Sequence, residues 1–200
     1  LLWVFVAWDV VEFNQTTAFV SIAVTFLLGM ALWWIHRERL RQLFFKHRSV
    51  WLISEIIFLV IFAFLLILRL FNPDLWDSYL GGEKPMELGY LTAIGRSAEL
   101  PPYDPWFSGG AMNYYYFGWF LVAVPMRALK ILPEVAFQLG VATFGALVGV
   151  TIFSLLYNLV RSSGTSKQRL LPSKATALKA GVLGVFLFMG SGTFDALRVH

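Results

Sequence analysis

The sequence predicts an all-α, polytopic transmembrane fold, and three observations carry that prediction. Of 200 residues, 58% are hydrophobic and only 14% are charged. Mean hydropathy is strongly positive, and several apolar runs are too long for soluble core helices. A bilayer offers no partner to an exposed peptide group, so these runs are read as helices. With no cysteine, disulfides and thiolate metal sites are excluded, but no compartment is identified. The net charge of +4 comes from basic residues gathered beside the apolar runs, which the positive-inside bias explains without a nucleic-acid partner. Leu1 lies within an apolar run and His200 follows soon after another; residues 1–200 read as a single membrane-domain fragment of something longer.

Residues 1–8 are too few to cross a bilayer and read as the end of an earlier helix, with Asp9, Glu12 and Asn14 marking an interface. The first complete span is expected over 17–35, because about 20 residues are needed at a rise of about 1.5 Å. Trp33 and Trp34 end it as interfacial aromatics. The connector 36–48 carries Arg37, Arg39, Arg41, Lys46 and Arg48 against Glu38 alone, which puts it on the cytoplasmic side. A span over 50–71 then leads out to a long exoplasmic loop, 72–112. There Asp74, Asp77, Glu83, Glu87, Glu99 and Asp104 outnumber Lys84 and Arg96, in agreement with that orientation.

Further spans are expected over about 114–132, 134–160 and 178–190, with Pro133 separating the first two. Arg127 and Lys130 are expected to snorkel towards cytoplasmic headgroups. If both runs cross, however, the connector with Arg161, Lys167, Arg169, Lys174 and Lys179 lies outside, against the charge rule. Either one run is a re-entrant or in-plane helix, or later helices fix the topology; both solutions stay open. Glu55 and Arg69 lie near the ends of their span and are expected to reach the interface.

Inside the long loop, Pro85 suits the first turn of a helix, where its missing amide hydrogen costs nothing. A short amphipathic helix to about Ala98 is expected, with Met86, Tyr90, Leu91, Ile94 and Ala98 on one side, lying on the membrane surface or against other spans. Glu83 falls just before its positive dipole end, which favours an ionised carboxylate able to take a proton from an attacking hydroxyl. Asp77 competes with Glu83 for that catalytic role, and spacing does not rank them. Lys84 and Arg96 are candidates to hold an anionic group such as a lipid phosphate. Asp104, Trp106, Asn113, Tyr114, Tyr115 and Tyr116 complete the candidate substrate-binding set, since flat aromatic faces and phenolic hydroxyls suit a sugar ring. The same residues also fit plainer roles, a helix cap for Glu83 with Lys84 and membrane anchors for the tyrosines. His36, His47 and His200 show no paired ligand spacing, so no histidine metal site is expected.

The runs GGEKPMELGYLTAIGRS and PPYDPWFSGGAMNYYYFGWFLVA, with YNLV and GSGTFDAL further on, resemble the DUF2298 family. These are large bacterial and archaeal membrane proteins, also called chlor/arch YYY after the Tyr-Tyr-Tyr motif. The resemblance covers most of residues 72–200. It departs at Glu87, where Asp is commoner in the family, which weakens Glu87 as a required ligand. The family's likeness to GT-C glycosyltransferases implies a GT-C-like helical fold in a prokaryotic cell membrane and a polyprenyl-phosphate-linked sugar donor. It further implies an acidic residue after a membrane span, for which Glu83 is the positional equivalent, activating the acceptor or helping to bind a divalent metal. Two other readings stay open: a transporter or flippase-like protein, and a non-catalytic membrane assembly protein.

Overall fold

A computed structural model of the chain describes residues 1–72, 74–75, 82–113, 115–163 and 173–197, with 192–197 as backbone alone. Its elements are α1 (Leu2–Ala7), α2 (Gln15–Phe71), α3 (Lys84–Arg96), α4 (Phe117–Leu129), α5 (Pro133–Ser162) and α6 (Lys174–Leu197). Among the described residues there is no strand, only an isolated bridge between Tyr103 and Ala111. The fold is therefore all-α. Three helices, α2, α5 and α6, are long and apolar enough to cross a membrane.

Asn14 starts α2 by a reciprocal cap: its Oδ1 accepts the Thr17 N–H at 3.0 Å, and Thr17 Oγ1 accepts the Asn14 N–H at 3.0 Å. The stretches expected as separate spans, 17–35 and 50–71, lie in two helices that meet at a kink at His47 within this element, and the basic connector is helical up to that kink. Its arginines, leucines, glutamine and lysine are strong helix formers, and neither Gly nor Pro occurs from 30 to 72. Only His47 leaves helical geometry, at φ −114° and ψ 17°.

The run expected over 114–132 is helical only over the 13 residues of α4. That is about 20 Å of helix, against a hydrocarbon thickness of about 30 Å. The helix passes through Pro125 and ends at Lys130. Pro125 removes a backbone donor from within the helix, and Lys130 turns into the left-handed region at φ 55°. Pro133 then opens α5.

The chain divides into two compact units, Leu1–Leu40 with Arg69–Gly140, and Arg41–Leu68 with Val141–His200. In the first, Phe13, Leu88, Leu91, Ile94, Phe120 and Phe137 are fully buried. Phe13 packs on Phe120 with ring centroids 5.1 Å apart, and Trp119 stacks on Phe137 at 4.9 Å. Arg69, expected to reach the interface, instead donates from Nε to Oε1 of Gln138 on α5.

In the second unit, Ile61, Ala146, Phe153 and Val185 form the core. A glycine seam explains the close approach of its helices. A Cβ on Gly145 would lie 2.4 Å from Leu65 Cδ1, and one on Gly149 would lie 2.2 Å from Ile61 Cδ1. Across the α5–α6 contact, Gly181 and Gly184 receive Phe153 and Leu156 in the same way. Alanine at 149 meets only the far end of the flexible Ile61 side chain, whereas leucine must displace the helix. Gly149→Leu is expected to lower stability by about 1–3 kcal/mol, with Gly149→Ala well below that, both read by thermal unfolding in detergent.

Candidate functional site

The described part of the long loop is built around α3. Glu83 is its N-cap residue, exposed, and its side chain makes no capping hydrogen bond. Glu87 and Tyr90 follow at helical spacing, so Glu83, Glu87 and Tyr90 share a face. Burial, then the charge of Glu83, raises the Glu87 carboxyl above its ordinary value. Tyr90 has its phenol raised by burial, then by Asp104, Tyr115 and Glu83. These groups bear on one another, and the phenol stays protonated at neutral pH as a hydrogen-bond donor.

Residues 102–112 form a tight loop beside this face. Asp104 N–H donates to Gly110 O at 2.9 Å, and Met112 N–H to Pro102 O at 2.8 Å. Asp104 Oδ1 accepts from the amides of Trp106 and Phe107 at 2.8 and 3.2 Å, an Asx turn that gives Asp104 a structural duty. Gly109, at φ 78°, supplies the positive φ of the turn closed by Gly110 N–H on Phe107 O at 3.1 Å. The exposed Trp106 indole lies over α3 where it meets no side chain: a Cβ on Gly89 would sit 3.3 Å from Trp106 Nε1. Within the loop itself is an open recess of about 700 Å³, lined by Tyr103, Asp104, Trp106 and Ser108 among others.

Other expected site residues are placed less closely. Lys84 opens α3 and Arg96 closes it, about 18 Å apart along the axis, so they do not form one preassembled phosphate clamp. Tyr116 is the N-cap residue of α4, without a side-chain cap, and packs against the cluster of Tyr90, Ala93 and Met112. Tyr115 and Asn113 are exposed. Asp77 and Tyr114 lie outside the described residues. Among the described residues no three His, Asp or Glu side chains converge as a metal-ligand set.

The pattern of a family described as uncharacterized membrane protein (DUF2298) matches residues 1–199. The chain belongs to the DUF2298 family. No curated protein and no solved structure matches it significantly. Membership extends over the N-terminal helices, which the loop motifs do not reach, and it makes this DUF2298 chain a membrane protein.

Sequence reasoning missed the residue that fixes the loop to its scaffold. In this DUF2298 chain Arg127 does not snorkel to headgroups; its Nη1 donates to Gly95 O at 2.8 Å and Ser97 O at 2.7 Å. The cation thereby meets the negative end of α3. Its guanidinium also stands 4.9 Å from the Phe13 ring centroid. Nothing in the spacing signalled this partner, 30 residues upstream. Glu87 and Tyr90, by contrast, were readable from the i, i+4, i+7 series beginning at Glu83.

Because Glu87 has a folded-state value above the ordinary 4.5, its contribution to stability is fully present below the unfolded value and lost as pH rises through the raised one. Glu87→Gln is therefore expected to unfold at higher temperature than the DUF2298 wild type at neutral pH. Below pH 4.5 the difference vanishes, as differential scanning fluorimetry would read.

Proposed function

We propose that this chain forms part of a multi-pass membrane glycosyltransferase that transfers a sugar from a polyprenyl-phosphate-linked donor at the exoplasmic face of a prokaryotic cell membrane. The observation that carries the reading is the Glu83 carboxylate: exposed, at a helix N-terminus and free of capping duty, on the helix over which the Trp106 indole lies at Gly89. In the reaction the acceptor oxygen bonds to the anomeric carbon as the bond from that carbon to the phosphate oxygen breaks. Glu83 takes the hydroxyl proton, and polyprenyl phosphate leaves. Trp106 and Tyr115 offer faces for the sugar.

The short α4 supports the orientation this requires. If α4 enters from the outer face and does not cross, α5 runs inward and the basic 161–179 connector returns to the cytoplasmic side with 36–48, satisfying the charge rule. In a cysteine-free background, which these 200 residues already provide, single introduced thiols report this directly. Ser108→Cys is expected to react with an impermeant maleimide on intact cells, and Ser173→Cys only after permeabilisation. Labelling of Ser173→Cys on intact cells would show that α4 crosses.

The catalytic proposal is tested with full-length protein in native-like lipid, given radiolabelled polyprenyl-phosphate sugars and membrane extract, wild type against Glu83→Gln. Flux without a glycosyl product would identify a transporter. A scaffold would tolerate Glu83→Gln and fail on substitution of Trp106 or Tyr115.

A further inference from the structure

Within the second unit, a groove of about 500 Å³ runs between α2 and α6, lined by Ile53, Leu178, Lys179, Val182, Leu183 and Phe186. Its walls are apolar except for Lys179, which is exposed. Val182, Leu183 and Phe186 also keep much of their surface open, at 45%, 57% and 74%. In a helix meant for hydrocarbon, such a cleft is filled by a chain of matching polarity.

The charges beside it say which. Residues 41–54 contain Arg41, Lys46 and Arg48 and no carboxylate; residues 173–191 contain Lys174 and Lys179 and no carboxylate. Arg48 precedes Ile53 by five residues, about 7.5 Å of rise and about 140° of turn, and Lys174 stands in the same relation to Lys179, so both add charge near the end of the groove without lining it. Glu55 lies about 200° around the helix from Ile53 and so points away from the groove. The approach to the groove is thus cationic on both helices while its depth is apolar, a polarity sequence that matches a phosphate headgroup followed by an acyl chain. Exposed Phe44, Phe45 and Trp51 flank the basic residues, as aromatic groups do at headgroup depth.

We infer that this groove is a binding site for one anionic phospholipid, its acyl chain against Ile53, Val182 and Phe186 and its phosphate held by Lys179, with Lys174 and Arg48 adding positive charge at the approach. The inference is independent of glycosyl transfer, and its readout is lipid retention rather than activity.

Native mass spectrometry of the full-length protein, released from detergent after addition of equal phosphatidylglycerol and phosphatidylcholine, tests it. Wild type is expected to retain phosphatidylglycerol preferentially. Lys174→Gln with Lys179→Gln lowers that preference by roughly fivefold or more, and the single Lys179→Gln lowers it part of the way. Val182→Trp, which fills the groove, reduces retention of both lipids. Circular dichroism establishes that each variant keeps its helices. Equal retention of the two lipids by wild type overturns the inference, as does an unchanged preference in both lysine variants. A wild-type dimer that Val182→Trp dissociates, with no lipid retained, also overturns it and assigns the face to a second copy of the chain.

Discussion

Glu83→Gln is expected to lower sugar transfer by about 10²–10⁴-fold, the usual worth of a positioned general base, while binding of the lipid-linked donor persists. The substitution keeps shape and hydrogen-bonding capacity but removes the proton acceptor. Because Glu83 is exposed and gives its side chain to no cap, the substitution removes no capping hydrogen bond and changes only the charge that bears on Glu87, Tyr90 and the helix end, so an unfolding temperature close to that of wild type must accompany the loss. Equal transfer in the two proteins would remove Glu83 from the reaction and leave Asp77 as the acid to test. If wild type transfers no sugar from any donor, weight moves to the transport and assembly readings.

Arg127→Ala is expected to destabilise the chain by about 3 kcal/mol, since hydrogen bonds to a charged group are each worth about 1.5–3 kcal/mol and two carbonyls lose their donor. Gly95 O and Ser97 O are the carbonyls concerned. The same change frees the Phe13 ring from its cation and leaves α4 joined to α3 chiefly through packing, as at Met126 against Gly95. Chemical unfolding in detergent measures the loss. Arg127→Lys should recover only part of it, because a single ammonium lacks the planar fork and ring stacking of guanidinium. Full recovery by lysine would reduce the joint to simple charge.

The parts of this structure that were legible in the sequence are those governed by local chemistry. Pro85 announced α3 within a residue of its observed start at Lys84, and Pro133 marked the opening of α5. Long apolar runs announced α2, α5 and α6. Illegible features depend on distant partners. The segment 36–48 read as a loop because of its charges, yet its residues favour helix, and the chain departs from helical geometry there at His47 alone. The end of α4 depends on a left-handed Lys130, a conformation that lysine rarely adopts. For the candidate site, Glu83 was found from its place before a helix, but the Asx turn on Asp104 and the seat of Trp106 over Gly89 arise only when the loop folds back. The Gly145 and Gly149 pair had the small-residue spacing of a helix contact and was overlooked among longer apolar signals.

Those glycines have a counterpart in α3 with a different consequence. A 13-residue helix with Gly89 and Gly95 in it gives up about 1 kcal/mol at each relative to alanine, and helices this short barely persist alone in water. Left to itself, α3 would be mostly coil. Its order is borrowed from the Trp106 indole over Gly89, the Met126 methyl at Gly95 and the Arg127 guanidinium at its last carbonyls. Glu83 therefore acquires its helix terminus only once the 102–112 loop and α4 have docked, so the carboxylate's electrostatic setting is a tertiary property, switched on by assembly rather than encoded in the loop itself.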